Sequence, residues 1–124
     1  MLMKKILYVL ALIALISIAV LGRQYVKKDK QKEEATKSLS KVYDLEMAYR
    51  KMFGHYTDNF YALVFIQDTL VTEGGKANYK VSLPEVTDST FTATAVSVVD
   101  FDRDGKFNTW TVNETGVITE LVED

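Results

Sequence analysis

The chain has 124 residues, 48% of them hydrophobic and 26% charged, which fits one small globular domain and excludes a disordered chain or a multi-span transporter. It has no cysteine, which excludes disulfides, thiolate zinc sites and thiol catalysis, and its single histidine argues against most hydrolase and metalloenzyme sites. Residues 1–53 carry a net charge of +6 and residues 54–124 a net charge of −8. Because nucleic acids bind basic surfaces, we expect no nucleic acid partner.

The N-terminal part contains a charge-free apolar run at residues 6–22, with Lys4 and Lys5 before it and Arg23 after it. At about 1.5 Å per residue in a helix, this run lies at the lower limit of what crosses a hydrocarbon core. It is either a membrane anchor that is retained or a signal peptide that is cleaved, and only a few small residues such as Gly22 suit a cleavage site. The pattern favours a retained anchor, with most of the chain outside the cytoplasm.

The next stretch, residues 26–53, contains no proline or glycine and predicts that the helix continues. Its second half has apolar residues at intervals of three and four, which place one apolar face along the helix. Gly54 is suited to end the helix in the left-handed conformation. The predicted apolar face consists of Ala35, Leu39, Val42, Leu45 or Glu46, Tyr49 and Phe53, widened by Ala48 and Met52.

Residues 54–124 alternate between apolar and polar as strands do. Between the helix and the first strand, the apolar residues 60–66 predict a short helix or turn. Three or four antiparallel strands with one apolar face must bury that face, so we expect them to pack on the amphipathic helix in an α+β fold. The predicted organisation is a membrane or filament-core helix (1–26), an amphipathic continuation (27–53) and a sheet-containing head (54–124). The predicted strands centre on Tyr79–Leu83, Phe91–Ala95, Trp110–Val112 and Val117–Leu121.

One motif indicates metal chemistry. Asp100, Asp102 and Asp104, followed by Gly105, match the first half of a calcium-binding loop, and Asn108 lies where another oxygen ligand would fall. The bidentate glutamate expected at the twelfth position is absent, so calcium affinity would be low. The alternative interpretation is a solvated turn between two strands, since aspartate and glycine favour turns.

No catalytic group is predicted. His55 has no serine, cysteine or second histidine at a useful spacing. Asp44 and Glu46 point to different helix faces, so they do not form a carboxylate pair for acid–base catalysis. We therefore expect a protein that is not an enzyme.

The order of these parts resembles the type IV pilin and pseudopilin family. The closest local likeness is Ala48 to Thr57, where the long helix ends in a tyrosine, a few residues and then Gly-x-Tyr. Residues 60–65 resemble the short element that follows, and residues 78–83 and 91–95 resemble the first two strands. Residues 100–116 resemble the Asp-rich turn, tryptophan strand and closing hairpin of some bacterial pilins.

The resemblance implies a structural subunit of a cell-surface filament or fimbrium, such as a type IV pilus. Copies would form a homo-oligomer by packing their N-terminal helices, with assembly machinery as a further partner. The family's early glutamate is absent, since no acidic residue precedes Asp29, and its leader cleavage site is absent because no small residue precedes an aromatic-aliphatic run with a glutamate. The alternative is therefore a single-pass membrane-anchored accessory or binding protein with a pilin-like head. The expected location is the inner membrane with an extracytoplasmic head, or a surface filament.

Overall fold

The structure is a computed structural model that describes residues 1–124. The chain forms two compact units, Met1–Lys32 and Glu33–Asp124. The elements are α1 (Leu2–Phe53), α2 (Phe60–Leu63), a 3₁₀ turn (Val71–Glu73), β1 (Tyr79–Val86), β2 (Phe91–Ser97), β3 (Thr109–Asn113) and β4 (Thr119–Val122). This arrangement confirms the predicted α+β class.

Helix α1 is continuous over 52 residues, as the absence of proline and the propensity of residues 26–53 predicted. It ends at Gly54, whose φ of +81° is the left-handed conformation expected there. The Gly54 N–H donates to the carbonyl oxygen of Arg50 at 2.7 Å, which satisfies one of the last free carbonyls of the helix.

The four strands form one antiparallel sheet in the order β1-β2-β3-β4. Val81 pairs with Ala95, and Ala95 pairs in turn with Trp110, so these three side chains lie on the same face. That face is the buried one, since every second residue of β2 from Phe91 to Ser97 is buried. Within the second unit, the long helix therefore packs on a small antiparallel sheet, an arrangement consistent with a pilin-like fold.

The hydrophobic core lies between this sheet face and the second half of α1. Ala35, Leu39 and Val42 are fully buried there, as their spacing predicted. Burying each leucine- or valine-sized side chain contributes about 1.5–3 kcal/mol, so this contact supplies much of the stability of the unit. The sheet contributes Tyr79, Val81, Phe91, Ala93, Ala95, Trp110 and Val112 to the same cluster.

The last turns of α1 differ from the prediction. Ala48, Met52 and Phe53 are exposed. Of Leu45 and Glu46, the two alternatives for one position of the apolar face, Glu46 is buried and Leu45 is only partly buried. The physical reason is that the chain turns at Gly54 and inserts another side chain into the core.

That side chain belongs to Tyr56, which is buried and packs edge-on against the Phe91 ring, with 4.9 Å between ring centroids. The guanidinium of Arg50 lies over the Tyr56 ring and donates to its hydroxyl at 3.1 Å. Tyr56 thus takes the place in the core that the helical spacing had given to Phe53.

Strand β4 also differs from the prediction. Val117 and Leu121 were expected on the apolar face, but both are exposed, and Ile118 packs against the core instead. Trp110 pairs with Glu120, which puts Ile118 and Glu120 on the side of the hairpin that carries the Trp110 side chain. Because a shift of one residue exchanges the two faces of a strand, the alternating pattern alone does not determine which set turns inward.

Two side chains fix the start of β1. The carboxylate of Glu34 accepts hydrogen bonds from the backbone N–H of Asn78 at 2.6 Å and from its side-chain amide at 2.9 Å, which ties β1 to α1. The amide of Gln67 runs along the outer edge of the strand, where it accepts from the Val81 N–H at 2.9 Å and donates to the Tyr79 carbonyl at 3.0 Å.

Candidate functional site

The predicted metal loop lies between β2 and β3 and is a series of tight turns. The Asp100 carboxylate accepts from the backbone N–H of Gly105 at 2.7 Å, and the Asp104 carboxylate accepts from that of Lys106 at 2.8 Å. Asp102 accepts from the Asp104 N–H at 3.0 Å. Arg103 and Gly105 both have positive φ, which lets the backbone turn sharply enough to bring the three predicted carboxylates together.

A fourth carboxylate, which the sequence motif did not indicate, joins this group. Asp124, beyond the end of β4, accepts from the backbone N–H groups of Phe101 at 2.8 Å and Asp102 at 2.9 Å. One oxygen from each of Asp100, Asp102, Asp104 and Asp124 lies within 4.8 Å of the others. Only the antiparallel return of β4 beside β3 places Asp124 there, so no local sequence signal could have found it.

The crowding of these carboxyls changes their protonation. Desolvation, together with hydrogen bonding to Asp124 and Asp104, raises the pKa of Asp102 to about 6. Desolvation opposes ionisation of Asp124 too, but the backbone N–H groups of Phe101 and Asp102 outweigh it and hold the pKa of Asp124 below its usual value. Asp102 therefore keeps its proton up to mildly acidic pH, whereas the neighbouring Asp124 carboxyl ionises at a lower pH than usual.

The donor set fits a hard divalent cation. Calcium is bound by oxygen ligands at 2.3–2.6 Å, so oxygens on opposite sides of the ion are about 5 Å apart. The 4.8 Å spread of the four carboxylate oxygens matches that dimension. Each carboxylate oxygen has two lone pairs and retains one for a ligand while it accepts a backbone hydrogen bond.

The side-chain oxygen of Asn108, the fourth predicted ligand, is bonded to other side chains, while the Asn108 backbone N–H is among the groups that bond Asp124. Its buried carbonyl oxygen accepts from the Tyr79 hydroxyl at 2.6 Å and from the Trp110 indole N–H at 2.7 Å, which uses both lone pairs. Its amide donates to Glu120 at 2.7 Å and to the Val122 carbonyl at 2.8 Å. Asn108 therefore links β1, β3 and β4. Desolvation and nearby acidic groups raise the pKa of Tyr79, which keeps this hydroxyl a donor.

The single histidine lies at the turn after α1. The His55 ring packs edge-on against Tyr49, with 5.6 Å between ring centroids, and its Nδ1 is 2.9 Å from the Tyr56 carbonyl oxygen. These contacts give His55 a packing role at the helix end.

A buried carboxyl, one of the two alternatives that the helical spacing gave for the apolar face, lies in the same region. Glu46 is 0% exposed, and its two oxygens are 3.3 and 3.4 Å from the Thr57 backbone N–H, a long and shared hydrogen bond. Burial raises the pKa of Glu46 to about 7, although the Thr57 N–H lowers it and the charge of Asp58 raises it further. Near neutral pH this carboxyl is therefore close to half ionised inside the head.

The first unit contributes a different kind of surface. Every residue from Met1 to Lys30 is exposed, including all the apolar side chains of residues 6–22. This part of α1 is long and apolar enough to cross a membrane. Comparison with protein-family models and with curated proteins finds no match to this chain.

Proposed function

We propose that the chain is the structural subunit of a cell-surface filament, similar to a type IV pilin, and that copies assemble through their N-terminal helices. The observation that carries the proposal is the apolar surface of residues 6–22, which nothing in the single chain covers. An uncovered surface of this kind is stable only in lipid or against other helices. No reaction is proposed.

The order of elements supports a filament over an isolated anchor. One uninterrupted helix runs from the apolar segment to the residues that carry the sheet. In a bundle of such helices, the apolar segments would form the filament core and the heads would form its outer surface. A monomeric membrane-anchored accessory protein is the rival function, because a single apolar helix is also satisfied by lipid alone.

Shearing of native cells distinguishes these two functions. We expect the chain in the sheared material, in filaments that an antibody to the head decorates in electron micrographs. Washed membranes from the same cells serve as the comparison. If the chain is found only in membranes, and there as a monomer, the filament proposal is wrong and the anchored accessory protein is favoured.

We further propose that the four-carboxylate group binds calcium weakly, with a Kd of about 10⁻⁴–10⁻³ M as in extracellular modules. Full-length chain in detergent at pH 8, where Asp102 is ionised, is expected to release or absorb heat on titration with calcium and to melt at a higher temperature. Asp124→Asn should weaken binding at least tenfold, whereas the exposed Asp88→Asn on the β1–β2 turn should not. The absence of any heat and melting shift at millimolar calcium would exclude the site.

A further inference from the structure

The turn between β3 and β4 contains the sequence Asn113-Glu114-Thr115. Asparagine followed by any residue except proline and then by serine or threonine is the acceptor pattern for N-linked glycans. The chain contains four asparagines, and only Asn113 has a serine or threonine two residues later. Asparagine and threonine also favour ordinary turns, so the geometry of this turn has to distinguish an acceptor from a structural residue.

The turn holds Asn113 on its solvent side. The Gly116 N–H donates to the Asn113 carbonyl oxygen at 2.9 Å, which closes the turn. A Cβ at position 116 would lie 3.0 Å from the Tyr43 ring, so the opposite end of the turn packs closely on α1. Val112 is buried, and because successive side chains of a strand face opposite ways, Asn113 lies on the solvent face of the sheet. Asn113 and Thr115 are both exposed, so an enzyme has access to them.

Thr115 orients the side chain of Asn113. The Asn113 Oδ1 accepts from the Thr115 backbone N–H at 3.0 Å and from the Thr115 hydroxyl at 2.5 Å. These two hydrogen bonds use both lone pairs of the amide oxygen. The Nδ2 nitrogen of Asn113, the atom to which an N-linked glycan is attached, makes no hydrogen bond within the chain. The turn therefore fixes the oxygen of the amide and leaves its nitrogen available.

The other three asparagines lack this arrangement. Asn108 is buried, and Asn78 donates its side-chain amide to a glutamate of α1 at 2.9 Å. Asn59 is exposed, and its Oδ1 accepts from the Tyr61 N–H at 2.9 Å, as the Oδ1 of Asn113 accepts from the N–H two residues later. The residue at that position is a tyrosine, however, so Asn59 has no hydroxyl bonded to its amide oxygen. Asn59 is thus an internal comparison for the effect of the hydroxyl.

The threonine hydroxyl bears on the chemistry of transfer. An amide nitrogen is a weak nucleophile because resonance delocalises its lone pair onto the oxygen. It bonds to carbon while it loses a proton, and negative charge then develops on the amide. Hydrogen-bond donors already aimed at the oxygen stabilise that charge without further reorganisation. Two donors from Thr115 are in place on Asn113.

We propose that Asn113 is the acceptor of an N-linked glycan, transferred by an oligosaccharyltransferase from a lipid-linked sugar phosphate. Nδ2 attacks the anomeric carbon of the first sugar, the bond from that carbon to the phosphate oxygen breaks, and the lipid phosphate leaves with the electron pair. One amide proton passes to a base of the transferase, and no oxidant or reductant is required. The proposal rests on an extracytoplasmic head, which the filament subunit and the anchored accessory protein share.

Mass spectrometry of the native chain tests the proposal. No lysine or arginine follows Lys106, so trypsin releases residues 107–124 as one peptide. We expect this peptide to carry the mass of an oligosaccharide, and we expect fragmentation to place that mass on Asn113. Asn113→Gln should remove the added mass. An unmodified peptide in native material would overturn the proposal, and so would an added mass that survives Asn113→Gln.

A second pair of variants leaves the asparagine in place. Thr115→Val removes the hydroxyl at nearly constant shape and should abolish the added mass, whereas Thr115→Ser keeps the hydroxyl and should retain it. Asn59→Gln, at the comparable turn without a bonded hydroxyl, is the matched control and should also retain it. Full modification of the Thr115→Val chain would contradict an acceptor that depends on the hydroxyl.

The same measurement separates this proposal from the filament. The 107–124 peptide is analysed both from sheared material and from washed membranes. Unmodified chain in filaments would overturn the acceptor site and leave the filament proposal intact. Glycosylated chain that is found only in membranes, as a monomer, would support the acceptor site and contradict the filament.

Discussion

Replacing Leu15 by arginine is expected to remove the chain from both filaments and membranes. Leu15 lies near the middle of the apolar residues 6–22, and its side chain is exposed in the single chain. A charge at the centre of a membrane helix costs about 2.5–3.5 kcal/mol on insertion scales. That cost corresponds to a decrease on the order of a hundredfold in the equilibrium constant for insertion.

Leu15→Ile is the matched control, because it keeps the apolar volume and should leave both populations unchanged. The measurement is quantitative immunoblotting of sheared material and washed membranes from cells that express each variant. If the Leu15→Arg chain is lost from filaments but is present at normal levels in membranes, the substitution disturbs helix packing more than it disturbs membrane insertion. Normal amounts of the Leu15→Arg chain in both fractions would contradict the assignment of residues 6–22 to the filament core or bilayer.

The second large effect is expected at Glu46. Its pKa of about 7 in the folded head lies above the ordinary value of 4.5, so between these values the folded chain binds a proton that the unfolded chain has released. The stabilisation is complete below pH 4.5 and is lost as pH rises through 7. The free energy of unfolding should therefore fall by about 2–3 kcal/mol across this range from Glu46 alone.

Glu46→Gln should abolish this part of the pH dependence and make the head more stable at pH 8, because the amide keeps the shape and the acceptor for the Thr57 N–H without a charge. Denaturant unfolding of the full chain in detergent, followed by the fluorescence of the single tryptophan, Trp110, measures the effect. Asp44→Asn, at an exposed position of the same helix, should keep the pH dependence of the unaltered chain. Parallel pH profiles for Glu46→Gln and the unaltered chain would contradict the prediction.

The sequence predicted best what depends on neighbours along the chain. Helix propensity, the spacing of Ala35, Leu39 and Val42, and the glycine at position 54 are local signals, and the structure confirms all of them. The first three strands are also close to their predicted positions, because alternation along one strand is itself local.

Features that depend on distant parts of the chain were not predictable. Asp124 joins the carboxylate group only because β4 returns beside β3. The inward face of β4 depends on the register in which it pairs with β3, where Glu120 lies opposite Trp110. The helical spacing left Leu45 and Glu46 open as alternatives, and Glu46 is the buried one, bonded to the Thr57 N–H in the turn after α1. Asn108 was predicted as a ligand from its position in a motif, but its oxygen is already bonded within the sheet.

The side chain of Gln67 has a consequence for aggregation of the head. Its amide occupies the hydrogen-bonding groups of Tyr79 and Val81 that a neighbouring strand would otherwise use, and Pro84 removes another donor from the same strand. This edge of the sheet is therefore protected against edge-to-edge aggregation, the route by which exposed strands form amyloid. In the proposed filament, where heads would be held at high local concentration, each head can then remain separately folded with its own sheet.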